Sequence, residues 1–130
     1  MYDKYIIVEN ECMNIIENNE VKGIQIGLRL PYYRGLGVSM VEDIQVKINS
    51  ECIPAELIKI KLHGNTYTLK ELETEYYDRW EFGEIMFLNI DKPGGLEKGL
   101  HNVEVTEFLR ISYRPILLEG RDKKQINIAA

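Results

Sequence analysis

The stretch IKIKLHGNTYTL, Ile58–Leu69, decides the fold. Ile58, Ile60 and Leu62 fall on one face of an extended chain, with Lys59 and Lys61 on the other. Such period-two alternation marks a half-buried strand. Gly64-Asn65 then separates IKIKLH from TYTL, a two-residue turn signal of the kind that closes a β-hairpin. The same alternation recurs on both sides. Ile24, Ile26, Leu28 and Leu30 repeat it upstream, as do Ile44, Val46 and Ile48. EIMFLNI, residues 84–90, is apolar on both faces apart from Asn89, which suits a central strand. LHNVEVTEFLRISY, residues 100–113, is long enough to bend or to cross between sheets, and QINI, residues 125–128, supplies a last strand.

Turn-rich segments separate these runs: Asn49-Ser50-Glu51, Asp91 to Gly95, and Lys98-Gly99. Helical periodicity is scarce. Leu69–Tyr77 is expected to hold one short helix, and Cys12–Asn18 a further turn at most. Many short strands spaced by Gly, Pro and Asn predict an all-β fold, a single-domain antiparallel β-sandwich of jelly-roll type. No repeat, low-complexity tract or linker divides residues 1–130. That length suffices for one closed core.

Composition narrows the function. Twenty-one acidic against 16 basic residues give a formal charge of −5, which disfavours a surface that tracks phosphates and hence nucleic acid. No apolar segment approaches the ~20 residues that a membrane helix needs, and MYDKYIIVEN is not a signal peptide. A cytoplasmic location is expected. Cys12 and Cys52, far apart and outside any CxxC context, read as reduced core residues.

The chemistry-bearing motifs are mostly missing. The two histidines, His63 and His101, sit at strand ends and are expected to face solvent; HExxH, DxD and HxH spacings are absent. No GxSxG occurs, and Gly35-Leu36-Gly37 lacks the third glycine and the following helix of a phosphate cradle. Carboxylate pairs such as Glu42-Asp43, Glu71 and Glu73, and Glu81 and Glu84 are expected on a solvated face. No catalytic residue and no cofactor are therefore assigned to this chain.

Two segments have the character of a recognition surface. LPYYRGLGVSMVEDI, Leu30–Ile44, sets two tyrosines and an arginine on a glycine-hinged connection. Tyr and Arg offer large contact area at low entropic cost. The second, YYDRWEFG at 76–83, carries the only tryptophan. Trp80 and Phe82 either plug the core or join Tyr32, Tyr33 and Arg34 in one aromatic and charged rim. Tyr113-Arg114-Pro115 has the same character. The candidates for contact with a partner or substrate are Tyr32, Tyr33, Arg34, Arg79 and Trp80.

DKYIIVEN, PYYRG, MVEDI, TYTLKEL, RWEFGE, KPGGL, ISYRP and GRDKK occur in that order from Asp3 to Lys124. Together they resemble the small β-subunit of bacterial C-glycoside deglycosidases. The resemblance implies a β-sandwich that packs on a catalytic α-subunit, a TIM barrel holding a divalent metal, manganese. It also implies a hetero-oligomer of α/β pairs that cleaves the carbon–carbon bond between a 3-oxo-glucosyl unit and a flavonoid or other polyphenol aglycone. The β-subunit would be an accessory chain of a carbon–carbon lyase, inactive alone, with the substrate bound mainly by α. An alternative reading is a stand-alone carbohydrate- or ligand-binding β-sandwich. The apolar runs ILLEG, residues 116–120, and EIMFL lean toward the subunit. GRDKKQINIAA either completes the sandwich or reaches to a neighbour.

Overall fold

A computed structural model describes residues 3–32, 34–110 and 117–129. Eleven strands build it: β1 (Ile7–Glu17), β2 (Glu20–Leu28), β3 (Leu36–Gly37), β4 (Val41–Ile48), β5 (Glu51–Cys52), β6 (Ile58–Leu62), β7 (Asn65–Thr68), β8 (Arg79–Trp80), β9 (Met86–Asp91), β10 (Gly99–Arg110) and β11 (Leu117–Ile128). One sheet has the order β1-β2-β9-β6-β7, a second β11-β10-β4-β5, and β3 pairs β8 in a two-stranded ribbon. All pairings are antiparallel. The alternating residues of the sequence fill the space between the sheets. Ile24, Ile26, Leu28, Ile44, Val46, Ile58, Ile60, Met86, Leu88, Val103 and Val105 are all buried in one cluster drawn from both. The fold is thus an all-β sandwich, and β9 lies centrally between β2 and β6.

Three hairpins close through two-residue turns in which both central residues have positive φ: Asn18-Asn19, Asn49-Ser50 and His63-Gly64. This is the primed geometry whose twist matches that of the flanking strands. The third turn lies one residue earlier than the sequence suggests. Leu62 pairs with Asn65, so His63 leaves the ladder at φ 52° and heads the turn with Gly64.

Other expectations need correction. Cys12–Glu17 is strand, part of β1, and Asn18 opens the hairpin turn; no helical turn forms there. Register shifts between Val8 and Met13 and between Ile15 and Ile16 break its alternation, which hid the strand. The one short helix expected within Leu69–Tyr77 is present as α1 (Leu69–Leu72), with a capping box between Thr68 and Glu71 at its start; three 3-10 turns complete the helical content of the described residues. β11 begins at Leu117, well before QINI, and pairs with β10 of its own chain from end to end. Its inward positions include Gly120 and Asp122, so the charged run GRDKK conceals a strand. β10 stays within one sheet, with an irregularity against β4 at Phe108/Leu109. Of the cysteines, Cys12 is buried, whereas Cys52 is exposed, and both are free. Burial raises the Cys12 thiol to about 11. No helix among the described residues is long and apolar enough to cross a membrane.

The sheet edges β1 and β11 are stitched by side chains. The Ile7 amide donates to Asp122 Oδ2 at 2.9 Å, and Lys124 Nζ donates to the carbonyls of Lys4 and Ile7 while pairing with Asp122 at 2.8 Å. Glu107 points into the same inner layer, fully buried, with neither carboxyl oxygen hydrogen-bonded among the described residues. Burial, reinforced by Asp3 and Asp122, raises its pKa well above the ordinary carboxylate value.

Candidate functional site

The β3–β8 ribbon brings the two singled-out segments together. Leu36 pairs with Trp80 and Gly37 with Arg79, and the Val38 amide donates to the Asp78 carbonyl at 3.1 Å. The approach is close. A Cβ on Gly35 would lie 3.0 Å from Glu81 Cα and would displace the Glu81 carboxylate, so a side chain there costs the ribbon a small shift and the Arg79–Glu81 pair its geometry.

The predicted contact residues divide on this ribbon. Trp80 is fully buried, and its indole Nε1 donates to the Glu84 carbonyl at 3.0 Å. Tyr32 is 8% exposed. Both pack in the core of the chain, the first of the two roles that the sequence offered for Trp80. Arg34 and Arg79 are exposed, the latter paired through Nε with Glu81 at 2.8 Å. Tyr33, and with it Tyr113-Arg114-Pro115, lies outside the described residues. In place of Trp80 and Tyr32 the structure exposes Tyr76 (72%), Tyr77 (96%) and Phe82 (49%).

A polar clasp fixes the segment that carries these aromatics. His63 Nδ1 lies 2.7 Å from Asp78 Oδ1 and Nε2 2.7 Å from Glu84 Oε2. Tyr67 donates its hydroxyl to Asp78 Oδ2 at 2.7 Å. The Arg79 amide donates to Asp78, and the Glu81 amide to Glu84. Glu75 accepts from the amides of Tyr77 and Asp78, which holds the intervening turn. Two carboxylates on opposite ring nitrogens suit the doubly protonated imidazolium, and hydrogen bonds to Glu84 and then Asp78 raise the His63 pKa. Glu84 is lowered in return, chiefly by His63. For Asp78, burial acts upward, but the hydrogen bonds from His63, Tyr67 and the Arg79 amide together lower it. Tyr67 is pushed up to about 12, by burial and then by Asp78, and remains a donor.

Sequence reading placed His63 at an exposed strand end, which its 42% side-chain exposure matches, but missed the clasp. The partners are 15 and 21 residues away, and only the left-handed backbone of the turn aims the ring at them. Among the described residues no three His, Cys, Asp or Glu side chains converge as a metal site. Both His63 nitrogens are already engaged by acids. His101 bonds Asn49 and the Glu97 carbonyl, linking β10 to a hairpin turn.

This arrangement holds a surface in place; it assembles no nucleophile and base around a reacting atom. The chain is an all-β sandwich with a clamped ribbon flanked by exposed aromatics, and comparison with known proteins gives it a family. The family model for the C-glycoside deglycosidase beta subunit matches residues 2–113. The chain belongs to that family. It is 29% identical over 106 residues to a C-glycoside deglycosidase beta subunit of Eubacterium cellulosolvens, covering 81% of this chain and 72% of that one. A namesake from Arthrobacter globiformis is 36% identical over 59 residues, 45% of either chain. The 3'-dehydrocarminate deglycosidase beta subunit of a Microbacterium species is 24% identical over 134 residues, covering 98% of this chain and 96% of that one.

Proposed function

We propose that this chain is the accessory β-subunit of a cytoplasmic C-glycoside deglycosidase, a carbon–carbon lyase whose chemistry resides in a metal-dependent TIM-barrel α-subunit. The observation that carries the reading is the family match across residues 2–113. The name of the Microbacterium relative, a deglycosidase of a 3'-dehydro compound, supports a 3-oxo-glycosyl substrate.

The reaction accounts for the division of labour. A C-glycoside has no glycosidic oxygen for a carboxylic acid to protonate, so the paired carboxylates of ordinary glycosidases do not serve. A ketone at C3 acidifies the proton on C2. Loss of that proton forms the C1–C2 double bond as the bond from C1 to the aglycone carbon breaks, and the aglycone carbon takes up a proton. A divalent metal, manganese in our reading, would polarise the 3-keto oxygen in the α-subunit. The role of the present chain is to cover the mouth of the barrel, where such sites lie, and to order its loops and exclude water. In this reading the ribbon bearing Arg34 and Arg79 faces the partner, in a hetero-oligomer of α/β pairs.

Co-expression with the partner, followed by an assay on a 3-oxo-C-glucosyl flavonoid, tests the proposal. Aglycone release by the pair, lost on chelation and absent from either chain alone, is expected. A folded chain that binds carbohydrate and ignores the barrel protein would replace it with a binding module.

A further inference from the structure

The geometry points to Tyr76 and Tyr77 as the anchors by which this chain docks on its catalytic partner, on a surface of that partner that is apolar at the centre and basic at the rim. This inference rests on the subunit reading above. Tyr77 is 96% and Tyr76 72% exposed, next to Phe82 at 49%. Three large aromatics exposed within seven residues bury well only against another macromolecule, and aromatic anchors are what dominate protein interfaces.

Their setting separates them from a merely loose loop. Glu75 holds the backbone amides of Tyr77 and Asp78 at 2.9 and 3.0 Å. Asp78 is in turn held by His63 and Tyr67, and Trp80 roots the strand in the core. The tyrosines thus stand on backbone that is ordered before binding, so that little entropy remains to be lost on contact. His63 acts through Asp78 and is a positioning residue here. The rim is acidic. Glu71, Glu73, Glu75, Asp78, Glu81 and Glu84 flank the aromatics in sequence; Arg79 pairs with Glu81 and His63 with Asp78 and Glu84, which leaves the segment negative on balance. Electrostatic complementarity then calls for basic groups on the partner. It also speaks against a second copy of this chain, whose equivalent rim would repel.

Tyr76→Ala and Tyr77→Ala, each purified and titrated against the wild-type catalytic subunit, test the inference. Both side chains are exposed, so both variants keep the wild-type fold and melting temperature. We expect each to weaken association at least about tenfold, the level of an interface anchor. Excess partner should restore the complex, and added salt should weaken wild-type association by slowing its formation. Unchanged affinity in both variants overturns the inference while leaving the subunit reading intact. Unchanged affinity with a raised KM also overturns it, by reassigning the tyrosines to the aglycone. Self-association of the wild type abolished by the substitutions overturns it in favour of a second copy. A wild-type chain that fails to bind the catalytic subunit at all removes the subunit reading itself.

Discussion

At the scale of single residues, the fully buried Glu107 shows how a local feature sets a global property. Its oxygens find no hydrogen-bond partner among the described residues, and its pKa lies well above the ordinary value. The folded state therefore holds a proton that the unfolded chain releases near the usual carboxylate pKa of about 4.3. Stability from this group is complete below that pH and is lost as pH rises toward the folded pKa, with a slope of at most about 1.4 kcal/mol per unit. Replacing Glu107 by leucine should raise stability near pH 8 by about 1–3 kcal/mol, because the desolvation cost of an unpaired polar group disappears. It should also flatten the decline. Denaturant unfolding across pH 5–9 checks this, and parallel pH profiles for both proteins would refute it. Trp80 makes the converse case. Its truncation to alanine is expected to cost roughly 3–5 kcal/mol as a core deletion, so lost assembly in that variant would report on folding and not on contact.

At the scale of elements, turns decide much. Ser50 occupies the second position of a primed turn at φ 69°, where an L-residue is strained. Ser50→Gly should stabilise the β4–β5 hairpin by about 0.5–1 kcal/mol, the left-handed cost less the added freedom of the unfolded chain; an unchanged or lower Tm would contradict it. The clasp has a pH signature of opposite origin to that of a depressed acid. Because the folded His63 pKa is raised, its contribution is complete below the unfolded value near 6.5 and fades as pH rises through the folded one. Hydrogen-exchange protection at residues 75–84, taken relative to the intrinsic base-catalysed rate, should fall over that window, and His63→Gln should remove that fall. The ring is largely exposed, so the change in global stability stays within the small range of surface ion pairs, under about 1 kcal/mol.

The same elements explain what the sequence made legible. Where Ile, Leu and Val occupy every inward position, as in β2, β4 and β6, period two is plain and the strands could be read directly. β1 was hidden by its bulges, and β11 by an inward Gly120 and Asp122 that serve the seam with β1. The meeting of PYYRG with DRWEFG depends on β3–β8 pairing across more than 40 residues, which no local pattern encodes. Residue type alone favoured Trp80 and Tyr32 as contacts; burial reverses their order with Tyr76 and Tyr77. His63 was visible as an exposed histidine, but its acid partners become neighbours only once the chain has folded.

The whole molecule is a sandwich in which no metal-binding cluster converges among the described residues and whose clamped ribbon is flanked by exposed aromatics and acidic residues. Its sense lies in a partner. The most direct measurement is size exclusion of the chain co-expressed with its α-subunit, proposed to be a metal-dependent barrel, with aglycone release from a 3-oxo-C-glucosyl flavonoid assayed across the fractions. We predict one co-eluting peak carrying metal-dependent activity that neither chain shows alone. A folded chain eluting by itself, with full activity in the barrel fraction, would contradict the account.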